Sequence, residues 1–324
     1  MLNVIKPGLH TTVQDLGRDG FYHLGVPPGG AADKYSFQIG NFLVGNPAHY
    51  AGLEIRMLGP TLLFTRRTLI AITGAPTPCF INDEPVPMWQ CLEIKAGDVL
   101  SFRFAQQGIC TYVCISGGIH SPEFLGSQST YIVHQKPECG YKLEIGGKLM
   151  INEPLPGAFK HAGRFLPESF RPSFSKTAEL HATLGLAIHR ISDEGVRVFL
   201  DSEWIVSTES DRIAYRLSGG PISFEHTVQT TETDDYSANV VDLPYPVGVI
   251  TVPNPKELII LVSDATAGGG FVTIGAVISS DLDTLNQCRP QTTVHFSAVT
   301  MEQALRLRAE KKQRLASAAE YLTT

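Results

Sequence analysis

Residues 26–33, VPPGGAAD, set two prolines, two glycines and a carboxylate directly ahead of a helix-like run. A helix start presents unpaired backbone N–H groups and the positive end of the helix dipole, so such a stretch can cradle a carboxylate or a phosphate. Gly29 and Gly30 would let the backbone approach that ligand closely. The competing account has Pro27 and Pro28 stiffen a loop and leaves the glycines to satisfy a turn. The stretch is no P-loop, because Gly-Lys-Ser/Thr is absent. A second Gly-rich segment, SDATAGGGF at 263–271, follows a strand-like run and reads either as a place of close ligand approach or as a tight barrel corner.

Other chemistry-bearing patterns are sparse. There is no Gly-x-Ser-x-Gly elbow and no His-Glu-x-x-His, and the 10 histidines show no zinc-ligand spacing, so no metal is indicated. The acidic TETDDYS at 231–237 reads more naturally as a solvated loop than as a metal site. QDLGRDGF at 14–21 and SDRIAYRL at 210–217 each join an Asp, an Arg and an aromatic across a turn, a hint of an internal repeat.

The elements that must position these groups are mostly strands. Apolar or alternating runs recur at 61–73, 99–104, 110–116, 248–252, 257–263, 271–278 and 292–296, and INDEPVP (81–87) and IKAGDVL (94–100) read as hairpin turns. Many short strands without alternating long helices predict a mainly β chain built of barrels or sandwiches. Two segments depart from this. Ala31, Tyr35, Ile39, Phe42 and Leu43 repeat at helical spacing and GNP at 45–47 supplies a stop, which predicts a helix over 31–44. Thr300 and Gln303 form a candidate capping box opening a surface or docking helix over 301–322, with Glu302 and Arg306 four apart. The proline-rich connector between 151 and 180 places a domain boundary there, giving domains 1–165 and 166–324.

With 324 residues and 43% hydrophobic content the chain buries sizeable cores. A net charge of -6 and no Lys/Arg-rich run argue against a nucleic-acid partner. No run of about 18 apolar residues could cross a bilayer, and the N-terminal residues do not read as a signal peptide. The six cysteines (79, 91, 110, 114, 139, 288) include no CxxC and read as buried reduced thiols of a cytoplasmic protein.

The whole block at 11–46, followed in order by LEI (53–55), TGA (73–75), KAGDVL, SGGI, LGSQST, SDRIAYRL and GVITVP, closely resembles the family of the 5-oxoprolinase C-type subunit. That family is also called allophanate hydrolase subunit 2 or KipI antagonist, within the biotin-dependent carboxyltransferases. The likeness is most specific at the N-terminus and weakens after about residue 130. It implies two cyclophilin-like β-barrel domains with a cleft between them. It also implies partnership with a KipI-like B-type subunit and an A-type subunit in the ATP-dependent opening of 5-oxo-L-proline to L-glutamate. In related urea carboxylases the equivalent region belongs to a module that receives a carboxyl group from biotin. Both chemistries handle an amide or ureido group and an anion, which suits backbone N–H groups, an Asp and one or two Arg. Carried over by position, the resemblance points to Asp15, Arg18, Asp211 and Arg212 as catalytic candidates. It points to Gln14, Gly29, Gly30, Asp33, Ser210, Tyr215, Arg216, Gly269 and Gly270 as groups around a small carboxylate or amide ligand. Asp15 with Arg18, or Asp211 with Arg212, read equally as pairs that fix loop geometry.

The chain departs from the family pattern at several places. Residues 264–273, DATAGGGFVT, stand where two Arg and a Gln are usual, Gln128 where an Arg is common, and Thr251 where a Gln is common; STYIVHQKPECGY (129–141) and LGLAIHR (184–190) also lack expected turns. Three readings therefore stand: a 5-oxoprolinase component of the C type, a non-catalytic KipI-antagonist-type binding protein, and a carboxyltransferase or allophanate hydrolase-type component acting on another amide or urea.

Overall fold

The computed structural model describes residues 1–131, 140, 142–185, 187–225 and 238–323; Cys139 and the TETDDYS stretch lie outside them. By its contacts the chain divides into two units, Met1–Asp19 with Gly29–Phe174 and Lys312–Thr324, and Gly20–Pro28 with Ser175–Lys311. Among the described residues there are four α-helices, α1 (Lys34–Leu43), α2 (Asp193–Asp201), α3 (Leu282–Gln287) and α4 (Met301–Thr323). The remainder is strand, turn and short 3-10 segments, the mainly β architecture expected. No helix of the described residues is long and apolar enough to cross a membrane.

In the first unit two antiparallel sheets share a core. One runs in the order Ile119–His120, Lys148–Ile151, Leu2–Lys6, Thr61–Phe64, Val99–Phe102, Cys79–Ile81, Glu84–Val86. The other runs His10–Gln14, Gly52–Arg56, Cys110–Ile115, Thr68–Gly74, Cys91–Ile94. Alternation points Leu2, Val4, Leu62, Phe64 and Leu100 of the first sheet at Val13, Leu53, Ile55, Ile72 and Val113 of the second. The outer face of the five-stranded sheet is covered in turn by α1, whose Phe37, Ile39 and Leu43 meet Leu69, Ala71, Tyr112 and Cys114. Covered on both faces, Thr68–Gly74 and Cys110–Ile115 are buried at every residue, which is why they read as continuous apolar runs rather than alternations.

Two sequence readings change here. The run at 61–73 is two strands that belong to different sheets, broken at residues 65–67. IKAGDVL is likewise no hairpin, since Cys91–Ile94 and Val99–Phe102 also lie in different sheets. INDEPVP is a hairpin, with Asn82 and Asp83 at φ 53° and 66° as a two-residue turn matched to strand twist demands.

The second unit contains a closed barrel of seven strands, in the order Thr177–Leu184, Thr273–Val277, Val249–Asn254, Glu257–Leu261, Ala214–Ser218, Trp204–Val206, Thr293–Ala298. The first and last strands close it as a parallel pair, Leu180 opposite Phe296. Inward residues Leu180, Trp204, Tyr215, Leu217, Ile250, Leu258 and Ile260 fill it. Ser192 caps α2 through the Gly195 N–H, and Phe199 of that helix stacks on Phe296 with centroids 4.6 Å apart. A two-stranded ribbon, Asn239–Pro244 with Gly268–Phe271, accompanies the barrel. The capping box of α4 is formed as expected: Thr300 Oγ1 accepts from Gln303 N, and Gln303 Oε1 accepts from Thr300 N.

Candidate functional site

In the first unit the strand His10–Gln14 delivers Asp15 and Arg18 to a loop that is locked onto residues 124–131. The Asp15 carboxylate accepts four hydrogen bonds, from Gly17 N, Ser127 Oγ, Gln128 N and Ser129 Oγ. It is 8% exposed. Arg18, 2% exposed, donates to the carbonyls of Phe124 and Ser129 and lies 5.5 and 5.6 Å from the ring centroids of Phe124 and Tyr131. Gln14 is fully buried and donates to Thr12 Oγ1. In these positions Asp15 and Arg18 fix one loop against another, while Gln14 bonds within its own strand. Gln128, standing where the family often has Arg, contributes its backbone N–H to that lock.

The start of α1 is likewise filled by the protein itself. Asp33 is its N-cap, accepting from Ser36 N and Ser36 Oγ. Ala31 N donates to Asp15 O, Ala32 N to Glu54 Oε2, and Asp33 N to Tyr112 Oη, which itself donates to Glu54 Oε2. The anion at this helix start is therefore the Glu54 carboxylate, 1% exposed on the strand Gly52–Arg56. Burial, then the Glu54 charge, holds the Tyr112 phenol well above its ordinary range. Gly29 and Gly30 sit at φ 61° and 82°. A Cβ on Gly30 would come 2.6 to 2.8 Å from the Leu16–Gly17 backbone, so the close approach it permits is to its own chain.

In the second unit Arg212 and Asp264 form a two-pronged ion pair, Nε to Oδ2 at 2.8 Å and Nη2 to Oδ1 at 3.2 Å, with both side chains sealed from solvent. Asp211 faces outward and accepts from Ile213 N and Ala214 N, a local turn. Ser210 Oγ bonds the Arg216 backbone. The period of two along Ala214–Ser218 sends Tyr215 into the barrel core and Arg216 to the outer face, where it meets Glu257 at 2.7 Å. Those two candidates therefore face different environments. Gly269 lies under the Tyr245 ring, with a Cβ there only 2.5 Å from Cε2, and the Tyr245 hydroxyl engages both the N–H and the carbonyl of Phe271. Thr251 is buried and donates to Ile259 O.

A family model described as carboxyltransferase domain, subdomain A and B, matches residues 24–298. The chain belongs to this family. The C-type subunit of E. coli (strain K12) 5-oxoprolinase is 32% identical over 323 residues, covering 97% of this chain and 96% of that protein. Urea amidolyase of Lachancea kluyveri is 32% identical over 317 residues, which are 94% of this chain but 17% of the enzyme, so the chain spans a small part of that relative. The crystal structure of K. lactis urea amidolyase superposes with a TM-score of 0.88 at 31% identity, over 97% of this chain and 20% of that one.

Within this carboxyltransferase-family chain, the second unit also holds a cavity of about 560 Å³ that sequence reasoning missed. Its walls are Tyr22 and His23 on one side and Asp242, Pro244, Tyr245 and Gly268 on the other. Tyr22 fixes the first wall by donating to the carbonyls of Tyr245 and Thr266, and burial pushes its phenol up to about 12. The signal was present but not local: HLGVPP and DLPYP look like two unrelated loops until the fold joins them. Glu54 and Tyr112 were missed for the same reason.

Proposed function

We propose that this chain serves as the C-type component of an ATP-dependent 5-oxoprolinase, acting with a KipI-like B-type subunit and an A-type subunit to open 5-oxo-L-proline to L-glutamate. The observation that carries this reading is the alignment with the C-type subunit of E. coli 5-oxoprolinase, which runs across 96% of that protein at 32% identity. In this reading the first unit supplies a rigid loop, held by the Asp15 lock, that orients a cyclic amide. The N–H groups of Ala32 and Asp33 ahead of α1 are not open to a phosphate, because Glu54 and Tyr112 already take them. The reading accordingly assigns the ATP phosphates to one of the other two proteins of the complex.

Two other readings each have a specific support. The altered segment 264–273 lacks the usual Arg and Gln and uses Gly269 to seat Tyr245, which favours a non-catalytic binding role toward a KipI-like partner. The family model and the urea amidolyase relatives favour a biotin-dependent carboxyltransferase component acting on an amide or urea. The deciding experiment reconstitutes the chain with both partner proteins and measures ATP hydrolysis that depends on 5-oxoproline. Turnover without a biotinylated carrier supports the 5-oxoprolinase reading. A stable complex that never turns over rejects it for the regulatory one, and turnover that requires the carrier rejects it for the carboxyltransferase one.

A further inference from the structure

We propose that the outer face of the seven-stranded sheet in the first unit is a docking surface for a partner protein that presents carboxylates around apolar side chains. The proposal rests on the reading above in one respect: the partner tested is the KipI-like protein of that complex.

The two sheets of this unit end differently. The five-stranded sheet has its outer face covered by α1. An antiparallel sheet with one wet face normally alternates apolar residues inward with polar residues outward. The seven-stranded sheet keeps the first half of that rule, with Leu2, Val4, Leu62, Phe64, Leu100 and Leu149 in the core, and breaks the second. Between those core positions stand Leu63, Phe80, Val99 and Met150, with Ile5 in the bulge of the strand Leu2–Lys6. Ile5 and Met150 are 45% and 52% exposed, and the other three are half-buried. Leu63 lies opposite Val99, and Asn3 lies opposite both Leu63 and Lys148, so the face is continuous across four neighbouring strands. Single exposed apolar residues are ordinary, whereas a contiguous band of them marks a contact surface.

Charge decides what fits. Lys6 lies opposite Thr61 and Lys148 opposite Asn3, which puts both ammonium groups on this face. The Arg103 guanidinium sits 5.4 Å from the centroid of the Phe80 ring. The outward positions of these strands hold no Asp or Glu, although the chain as a whole carries a net charge of -6. A partner with carboxylates at the rim complements the three cations and is steered to them, while the apolar band supplies the desolvated centre of the contact. A second copy docked face to face would set these cations against their own counterparts. An anionic membrane surface is held by clusters of about 4 to 8 Lys or Arg, more than this face offers.

The test measures binding of the full chain to the KipI-like protein by calorimetry at low and high salt, with sedimentation of the chain alone and flotation with phosphatidylserine vesicles alongside. The wild-type chain is expected to bind the partner, and more weakly as salt rises. Met150→Glu and Arg103→Glu, at exposed positions where folding is not at stake, should each weaken binding by at least about tenfold. Lys176→Glu, a charge reversal at an exposed lysine of the second unit, should change it by less than about twofold. Unchanged affinity in either of the first two variants overturns the proposal. So does self-association of the chain that Met150→Glu abolishes, or vesicle binding that Arg103→Glu abolishes. If the wild-type complex opens 5-oxoproline and the variants still bind, the 5-oxoprolinase reading stands and the docking face falls. If the variants lose the complex and the wild-type complex never opens 5-oxoproline, the docking face stands and that reading falls. Absence of any wild-type complex overturns both.

Discussion

Asp15 accepts hydrogen bonds from donors up to 114 positions away, and removing its carboxylate would strand all of them in a dry loop. Asp15→Ala is expected to destabilise the chain by about 3 kcal/mol, and Asp15→Asn by less because one carbonyl oxygen remains as an acceptor; the midpoint of urea unfolding measures both. Arg212→Ala leaves Asp264 as an unpaired buried charge and should lose about 3 to 5 kcal/mol, with Arg212→Lys a poor substitute because a single ammonium cannot match the two-pronged contact. Arg216→Ala, on a side chain 41% exposed, should change stability by less than about 1 kcal/mol. That contrast separates two arginines four positions apart that look alike in SDRIAYRL. The sequence marks which residue types can do chemistry, but the pairing it offered for Arg212, with Asp211, is not the one made: Asp211 accepts from the Ile213 and Ala214 N–H groups instead. The partner of Arg212 is Asp264, 52 positions on, brought alongside by the antiparallel pairing of Ala214–Ser218 with Glu257–Leu261.

Elements were more legible than partners where the signal was local. The apolar spacing that predicts a helix over 31–44 matches α1, because Asp33 caps it and its stripe faces the sheet. Strands read as runs were found, while the connections between them were misread wherever a short turn passes from one sheet to the other, since turn chemistry does not say which sheet follows. The helix α2 was missed: nine residues that include two β-branched valines and a glycine carry weak helix propensity, and its stability comes from packing Phe199 on Phe296. Glycine positions test this level directly. Gly25 and Gly30 both have left-handed backbones, but only Gly30 has neighbouring atoms where a Cβ would sit. Gly25→Ala should therefore lose about 1 kcal/mol, the conformational strain alone, and Gly30→Ala substantially more, as compared by thermal denaturation.

For the molecule as a whole, alkaline pH is the revealing variable. Burial raises the thiols of Cys79 to about 11 and of Cys91 and Cys288 to about 12, from an ordinary 9.0. It raises Tyr22 to about 12 and Tyr112 well above 10.0. Each folded value exceeds the unfolded one, so the unfolded chain sheds protons first. The stabilisation is complete below about pH 9 and falls as pH climbs from about 9 toward 12. Unfolding midpoints measured across that range should decline steadily, and site-resolved mass spectrometry should find Cys79, Cys91, Cys110, Cys114 and Cys288 unlabelled by a thiol reagent at about pH 8 until denaturant is added. The interleaving of the two units has a consequence for synthesis. The first unit is completed only by Lys312–Thr324, whose Ala318 and Leu322 are buried in its core, while Gly20–Pro28, which precedes most of the first unit along the chain, belongs to the second. Neither unit is a continuous stretch of chain, so the first cannot finish folding on the ribosome before the last turns of α4 emerge, and a nascent chain stalled at residue 311 would hold every residue of the second unit and an unfinished first one.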